Sequence, residues 1–384
     1  MKPLPLLILF ANFKGNLGDF AIFHAMLETL ENRYPGREKH VFSLGHKEVD
    51  ATRLASFIAE PHPPFILVGR SPYRRVKGIP QWFKHAGLDK WLAGKWIDRL
   101  SREFTKSEPI SSAGDYEAIF LAGGEQWGGY STGINQFAIL DAVSRVNRNV
   151  FIFPFSVRKK LLDSYSHDRL ESLFKRIAGD RVVRDGGSGE TLRSVCPAVL
   201  DGADCVFSLA SREIAGPPPT EALVILAVTQ AENSSRDELV TAIHRLTAGG
   251  IRVRLLTTCE CEDGPVLSEL SRTLGIDFVA PATWQETVEE FRSASLVVTN
   301  RLHCMVFSFF AGVPVVPLRN REKVTGICTD AGLTRWVDSI GALTPELALA
   351  CIADREWTLE KMRAYREKVS QLPMGPWEFT PASE

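Results

Sequence analysis

Residues 297–318 have the sequence VVTNRLHCMVFSFFAGVPVVPL, and their pattern of apolar residues predicts the fold class. The stretch opens with apolar, β-branched residues typical of a buried strand and continues as an apolar helix that ends at Gly312. Pro314 then opens a second short apolar run. A strand, a helix and another strand in direct succession form the repeating unit of a parallel sheet covered by helices. The stretch therefore predicts an α/β fold.

The same alternation extends in both directions along the chain. In the first half, strands are predicted at residues 4–10, 40–44, 64–68, 117–122, 150–155 and 181–183. In the second half, strands are predicted at 222–228, 251–257, 276–279, 295–299 and 313–318, with helices near 236–248, 264–274 and 284–293. Short apolar runs separated by helical patterns indicate parallel sheets throughout.

The chain length and one proline cluster divide this alternation into two domains. A chain of 384 residues is too long for one ordinary core. Residues 216–220, Gly-Pro-Pro-Pro-Thr, cannot continue a helix or a central strand and are predicted to be a linker. We expect two doubly wound, Rossmann-like domains facing across a cleft, at 1–215 and 221–355, with a C-terminal helix and tail at 356–384. This α/β architecture resembles that of the GT-B glycosyltransferases, and ligands would bind in the cleft.

The composition argues against several classes of protein. The formal net charge is -1, so the total charge does not indicate nucleic-acid binding. No stretch approaches the roughly 20 apolar residues that a membrane span needs. Seven cysteines, an odd number, are scattered without the spacing of a secreted disulfide framework, which favours a reducing cytosol. Cys259 and Cys261 form a close pair, but without a second pair nearby they predict two ordinary thiols and no metal site.

Arg301 and His303 follow the strand that opens the quoted stretch, at the point where the next helix begins. A guanidinium and an imidazole two residues apart, beside a helix N-terminus, form a natural site for an oxyanion or a phosphate. The alternative is structural, because short motifs recur by accident: a buried ion pair for Arg301 and a hydrogen-bonded core position for His303.

Four segments of the chain resemble those of the polysaccharide pyruvyl transferase family. In order, they are Asn16-Leu17-Gly18-Asp19 after the first strand, Ile119–Gly124 ending in paired glycines, Val183-Arg184 with Ser188 leading to Asp204, and Asn300–Lys323 with its Arg-Leu-His triplet. The resemblance spans residues 8 to about 333. The chain departs from the family pattern at Glu125-Gln126-Trp127 and at residues 154–158. These departures weaken any transfer of acceptor specificity.

The resemblance implies a transferase with phosphoenolpyruvate as co-substrate and no other cofactor, forming a pyruvate ketal on a sugar of a polysaccharide or lipid-linked saccharide. Arginine and lysine suit the carboxylate and the phosphate of this donor, so Arg184, Arg301 and Lys323 are expected to bind it. His303 and Glu125 are expected to act as acid and base, with Arg301 beside them in the catalytic group. The other expected binding residues are Ser188, Asn16, Gly18, Asp19, Gly123 and Gly124.

Some of these assignments have alternatives. Asp19 either caps the first helix or contacts the acceptor, and one role does not exclude the other. Glu125 is either an acid/base or a solvent-exposed loop residue, and Gly186-Gly187-Ser188-Gly189 either forms a backbone anion nest or is a flexible turn. For the whole protein, the alternatives are a GT-B glycosyltransferase whose nucleotide sugar binds Arg301 and Lys323, or a saccharide-binding relative without turnover.

A basic, aromatic segment at residues 70–103 carries nine Lys or Arg against three Asp or Glu. Trp91, Lys95, Trp96 and Arg99 fall at helical spacing, which is typical of a helix that lies in a membrane interface. The alternative is a covering helix whose tryptophans fill the core of the first domain. We therefore expect a cytoplasmic protein with a peripheral contact at the anionic inner face of the membrane.

Overall fold

The computed structural model describes residues 3–10, 15–43, 64–70, 89–125, 130–157, 167–209, 221–229, 236–319, 322–335 and 337–377. Within these ranges the chain alternates strands and helices as the sequence predicts, with small differences at the ends of elements. The predicted linker at 216–220 lies outside the described residues.

The described part of the N-terminal domain contains two parallel sheets. Its strands are β1 (Leu6–Phe10), β2 (Lys39–Ser43), β3 (Ile66–Arg70), β4 (Ala118–Leu121), β5 (Gly124–Glu125), β6 (Val150–Ile152), β7 (Phe155–Ser156), β8 (Arg181–Val183) and β9 (Val199–Asp201). Its helices are α1 (Leu17–Arg33), α2 (Asp89–Thr105), α3 (Tyr130–Val146), α4 (His167–Arg176) and α5 (Gly186–Arg193). One sheet has the order β3-β2-β1-β4-β6 and the other β5-β7-β8-β9.

The predicted strand at 150–155 is interrupted, which corrects the bounds expected from the sequence. Pro154 separates β6 from β7 because it has no N–H to donate to a neighbouring strand. Gly123 separates β4 from β5 at the same level, and a Cβ added there would lie 2.5 Å from the Pro154 carbonyl oxygen. The two breaks therefore lie side by side, and only glycine fits at position 123.

The described part of the C-terminal domain is built around one parallel sheet. Its strands are β10 (Leu223–Ala227), β11 (Arg252–Leu256), β12 (Asp277–Val279), β13 (Leu296–Thr299) and β14 (Val315–Pro317), in the order β12-β11-β10-β13-β14. Its helices are α6 (Arg236–Ala248), α7 (Glu260–Leu274), α8 (Trp284–Arg292), α9 (Leu302–Ala311), α10 (Glu322–Asp330), α11 (Pro345–Ala353) and α12 (Arg355–Ser370). In both domains the strand order reverses at the first strand, β1 or β10, and ligands of such sheets bind at that reversal.

The two domains share an apolar core formed by α1, α8 and α9. The ring of Trp284 stacks on Phe307 at a centroid distance of 6.0 Å. Its Nε1–H donates to Nδ1 of His24 on α1 at 3.2 Å. Burial of large aromatic rings contributes strongly to such contacts, so this interface fixes α1 against the C-terminal domain.

The C-terminal segment crosses back to the N-terminal domain. Tyr365 on α12 packs edge-on against Phe207 at 5.8 Å. Beyond the helix, the Pro373 carbonyl oxygen accepts a hydrogen bond from Ala203 N–H at 3.1 Å. Trp377 then packs edge-on against Phe153 at 5.4 Å. Residues 365–377 therefore connect the C-terminal domain to the N-terminal domain.

The described half of the basic, aromatic segment is a covering helix. Ile97, Leu100 and Phe104 of α2 are buried in the N-terminal core, and Trp96 is half-buried against the same core. Arg99 lies over the Trp96 ring at 5.6 Å. The side chains of Trp82 and Trp91 lie outside the described residues. Among the described residues, no helix is both long and apolar enough to cross a membrane.

Candidate functional site

The N-terminus of α1 meets the carboxyl end of β11 across the two domains. Leu17 N–H donates to the Thr258 carbonyl oxygen at 2.8 Å, and Asn16 forms an antiparallel bridge with Cys259. The helix α9 begins beside this contact, with Arg301 as its N-cap residue. Two helix N-termini at one place bring together backbone N–H groups and positive dipole ends, which favour a bound anion.

His303 lies directly against Gly18, and this contact joins two of the predicted segments. A Cβ added at Gly18 would lie 2.1 Å from Nδ1 of His303 and 2.7 Å from its Cβ. No larger residue fits at position 18 without moving the imidazole. Gly18 is therefore required by the approach of a catalytic candidate from the other domain, which is one of the reasons for which proteins use glycine.

Asp204 contacts both His303 and Arg184 through one carboxylate oxygen. Its Oδ2 accepts a hydrogen bond from Arg184 Nη1 and lies 3.4 Å from Nε2 of His303, at ion-pair distance but without hydrogen-bond alignment. Burial acts to raise the pKa of Asp204, but the charge of Arg184 and the contact with His303 outweigh it and hold that pKa well below its usual value. Asp204 is therefore a carboxylate at neutral pH, facing the imidazole.

Arg184 is held in place by a chain of hydroxyl and carboxylate groups. Its Nε donates to Ser156 Oγ at 2.8 Å, and Ser156 Oγ donates to Asp185 Oδ2 at 2.6 Å. Ser188 Oγ donates to the same Asp185 oxygen at 2.9 Å and accepts from Val157 N–H at 2.8 Å. Ser188 is buried, so the structure places its hydroxyl within this network. The segment 186–189 forms the first turn of α5, and Asp185 caps it.

Arg301 is paired with a buried aspartate that the sequence analysis missed. Its Nη2 donates to Asp263 Oδ2, and Thr229 Oγ1 donates to the other oxygen of that carboxylate at 3.0 Å. Burial acts to lower the pKa of Arg301, but the charge of Asp263 outweighs it and raises that pKa. Arg301 Nε has no partner among the described residues. Since a guanidinium has five N–H donors, an ion pair with Asp263 leaves donors for a ligand.

Asn16, rather than Asp19, is the cap of α1. The Asn16 Oδ1 accepts a hydrogen bond from Gly18 N–H at 3.2 Å, in the position where asparagine is strongly preferred. Asp19 lies in the first turn of the helix and is half-buried. A carboxylate at this position is favoured by the helix dipole. The helix cap that the sequence predicts as one role of Asp19 is therefore Asn16.

The local backbone geometry requires glycine at both positions of the pair Gly123-Gly124. Gly123 packs against the Pro154 carbonyl oxygen, and Gly124 has a φ of 107°, which strongly favours glycine. Glu125 follows in β5, and Lys323 lies in the first turn of α10. The side chains of Glu125 and Lys323 lie outside the described residues, so their predicted roles stay predictions.

The site therefore brings together predicted residues from both domains, namely Asn16, Gly18, Arg184, Arg301 and His303. Asp19 follows Gly18 in the first turn of α1. Asp204 belonged to a quoted segment but was given no role, although an aspartate after a strand end is a signal for a functional carboxylate. No sequence pattern indicates a functional role for Asp263. It lies among acidic residues in the first turn of a helix, and such residues are usually exposed to solvent.

Solved structures with the same fold come from sugar-nucleotide proteins. A candidate UDP-N-acetylglucosamine 2-epimerase from Listeria monocytogenes has a TM-score of 0.56 at 12% identity, covering 98% of this chain and 93% of that chain. HepE from Anabaena in complex with UDP-glucose has a TM-score of 0.55 at 12% identity, covering 96% and 95%. The UDP-GlcNAc 2-epimerase of Methanocaldococcus jannaschii in complex with UDP-GlcNAc and UDP has a TM-score of 0.52 at 12% identity, covering 93% of each chain. These likenesses confirm the predicted GT-B-like fold and, at this identity, show the fold alone.

No curated protein matches the sequence. The family model described as polysaccharide pyruvyl transferase matches residues 16–322, which is 307 of the 384 residues. The match begins at the Asn16 cap, includes Arg184, Asp204, Arg301 and His303, and ends one residue before Lys323. Because this match covers most of both domains, including every residue whose contacts form the candidate site, the chain belongs to the polysaccharide pyruvyl transferase family.

Proposed function

We propose that the protein transfers the pyruvyl group of phosphoenolpyruvate to two hydroxyls of one sugar, forming a pyruvate ketal and releasing phosphate. The proposal rests on the family and on one observation above all: the Asp204 carboxylate faces the imidazole of His303, which lies against the N-terminus of α1. An imidazole between a carboxylate and a helix N-terminus suits proton transfer beside a bound anion.

The proposed reaction needs a proton donor, a proton acceptor and sites for two anionic groups. Protonation of the donor's methylene carbon gives a cationic carbon, which a sugar hydroxyl attacks. Phosphate then leaves, and a second hydroxyl of the same sugar closes the ketal ring. In this proposal His303 gives the proton to the methylene carbon, and Asp204 compensates the positive charge of the imidazolium.

Arg301 and Lys323 are proposed to bind the carboxylate and phosphate of the donor. Arg301 suits this role because its guanidinium can bind an oxyanion through two parallel N–H bonds while Asp263 holds it from behind. Arg184 is buried and hydrogen-bonded to Asp204 and Ser156, so we propose that it acts by holding Asp204. No cofactor other than phosphoenolpyruvate as co-substrate enters this scheme.

The acceptor is proposed to be a sugar of a polysaccharide or a lipid-linked saccharide. Gly18 of the N-terminal domain contacts His303. Two polar residues, Asn16 and Asp19, lie next to Gly18 at the start of α1. We assign the acceptor to this side of the cleft, with Glu125 as the proposed second acid/base. Carboxylates accept hydrogen bonds from sugar hydroxyls and can also take up their protons.

The first experiment measures which donor the purified protein binds. Thermal unfolding is followed with phosphoenolpyruvate, UDP-sugars and GDP-sugars, since a ligand of the folded state raises the unfolding temperature. Phosphoenolpyruvate should stabilise the wild-type protein and release inorganic phosphate when a saccharide acceptor is added. The His303→Ala variant should bind the donor and release no phosphate. Stabilisation by UDP-sugars without any effect of phosphoenolpyruvate would instead identify a nucleotide-sugar enzyme.

A peripheral contact with the inner, anionic face of the membrane is part of the proposal. It rests on Lys95, Arg99 and Arg102, which are exposed on α2, whereas Ile97, Leu100 and Phe104 of the same helix face the core. Each basic residue near anionic lipid contributes about 1 kcal/mol. Co-sedimentation with anionic vesicles should decrease as salt is raised. If wild-type protein stays in the supernatant at low salt, α2 is a covering helix alone.

A further inference from the structure

Two cysteine thiols lie in contact at the start of α7. The Sγ atoms of Cys259 and Cys261 are 3.8 Å apart, and neither cysteine is part of a disulfide. Cys259 is the N-cap residue of α7 and is buried, whereas Cys261 is exposed in the first turn of that helix. A buried thiol beside an exposed one has the arrangement of an oxidisable cysteine with its resolving partner.

Residues 258–263 make three contacts of the candidate site. Cys259 forms the antiparallel bridge with Asn16, and the preceding residue, Thr258, accepts the hydrogen bond of Leu17. Asp263, two residues after Cys261, holds the guanidinium of Arg301. A change in the geometry of residues 259–263 would therefore reach both the domain contact and Arg301.

We propose that Cys259 and Cys261 are a redox modification site, at which hydrogen peroxide closes an intramolecular disulfide that lowers the activity of the enzyme. The exposed thiol of Cys261 is first oxidised by peroxide to a sulfenic acid, with release of one water. The Cys259 sulfur then attacks the Cys261 sulfur, the S–OH bond breaks, and a second water leaves. Hydrogen peroxide accepts both electrons of this oxidation. A dithiol reductant such as dithiothreitol reduces the disulfide back to the two thiols.

The surroundings of the pair favour a neutral oxidant and a reversible disulfide. Glu260, Glu262 and Asp263 flank the cysteines, so an anionic oxidant such as glutathione disulfide is repelled while peroxide is not. Burial and the nearby Glu262 raise the pKa of Cys259, so Cys259 stays protonated and reacts poorly with peroxide, which leaves the exposed Cys261 as the thiol that is oxidised first. When Cys259 attacks the sulfenic acid, its proton leaves with the hydroxyl group as water. Closure brings the sulfurs from 3.8 Å to about 2.0 Å, and a disulfide that includes the exposed Cys261 is accessible to a dithiol reductant.

The effect on activity follows from Asp263 and rests on the proposed function, whereas the disulfide itself does not. Drawing the two sulfurs together twists the first turn of α7 and moves Asp263 away from Arg301. Arg301, which is proposed to bind the donor, then loses its aligned hydrogen bond with Asp263. We expect kcat/KM for phosphoenolpyruvate to fall about tenfold as a result. Reduction with dithiothreitol should restore it.

The test treats the full-length protein with hydrogen peroxide and counts thiols after denaturation. Seven thiols should fall to five, since two of the seven cysteines form one disulfide. Trypsin releases residues 255–272, which contain Cys259 and Cys261 and no other cysteine, so this peptide should be lighter by two hydrogen atoms. In Cys351→Ser, which removes a buried cysteine of α11, six thiols should fall to four and the activity should respond to peroxide as in wild type. Cys261→Ser should keep its activity, form no disulfide and retain six thiols.

A readout that needs no catalysis separates this inference from the proposed function. Hydrogen–deuterium exchange of the peptide with Leu17 should rise on oxidation in wild type and not in Cys261→Ser, because the Leu17 amide donates to Thr258. If seven thiols remain, or Cys261 alone is oxidised to a sulfinic acid, the redox site does not exist. If the disulfide forms while exchange and activity stay unchanged, the regulatory role is wrong. If the disulfide forms and hydrogen exchange at Leu17 rises, but the protein does not use phosphoenolpyruvate, the redox site is confirmed and the proposed function is wrong.

Discussion

Replacing Gly18 with alanine sets two physical effects against each other. Gly18 is the second residue of α1, and alanine is favoured over glycine in a helix interior by about 1 kcal/mol, less in the first turn. Against this, the new Cβ would lie 2.1 Å from Nδ1 of His303, although contacts of a Cβ below 3.0 Å are essentially never seen. The distance between the imidazole and the start of α1 must therefore increase by at least 0.9 Å, the difference between 3.0 and 2.1 Å.

A displacement of this size should affect catalysis much more than stability. A misplacement of about 1 Å in a reacting group can cost on the order of 100-fold in rate, so we expect turnover of Gly18→Ala to fall by about that factor. The overpacking costs about 1–3 kcal/mol, partly offset by the gain in helix propensity. The free energy of unfolding should therefore change by no more than about 2 kcal/mol.

The assay is phosphate release from phosphoenolpyruvate with a saccharide acceptor, together with urea unfolding of the same samples. Gly326→Ala is the matched control, because Gly326 lies inside α10 at an ordinary helical φ and an added Cβ would meet nothing within 4 Å. This control should be more stable than wild type by up to about 1 kcal/mol, with unchanged turnover. Turnover of Gly18→Ala close to that of Gly326→Ala would refute the contact between Gly18 and a catalytic imidazole.

Three further substitutions test other contacts of the site. His303→Ala should keep the fold and lower turnover at least about 100-fold, as expected for a general acid; near-normal turnover in the folded variant would remove His303 from the mechanism. Arg301→Lys should raise KM for phosphoenolpyruvate about tenfold, because an ammonium cannot replace the planar fork; unchanged kinetics would make Arg301 structural. Asp204→Asn should destabilise the protein at pH 7 by about 3 kcal/mol or more, because Arg184 is left buried without its carboxylate. Since the folded pKa of Asp204 is depressed, this stability is fully present above the unfolded pKa of about 3.9 and is lost as pH falls below it. The difference between wild type and Asp204→Asn in urea unfolding should therefore shrink below about pH 4, and a constant difference would contradict the ion pair.

Local periodicity was enough to predict most helices and strands. The helix predicted at 236–248 is α6, where Leu239, Ile243 and Leu246 are buried at helical spacing. The start of α7 was missed: the helix was expected from 264 and begins at Glu260, because acidic residues in a first turn are stabilised by the helix dipole. The break at Pro154 was also missed, although a proline inside a run of strand residues is a sequence signal for it.

Local sequence patterns predict the α/β class, the two doubly wound domains and the segments that carry the site, since apolar periodicity and short motifs are local properties of the chain. The partners of the site residues, in contrast, are visible in the folded structure and not in the sequence. Arg184 pairs with Asp204, 20 residues away, and Arg301 with Asp263, 38 residues away. His303 meets Gly18 from the other domain. No local pattern encodes these pairs, because the shared apolar core of α1, α8 and α9 sets the distance between the domains.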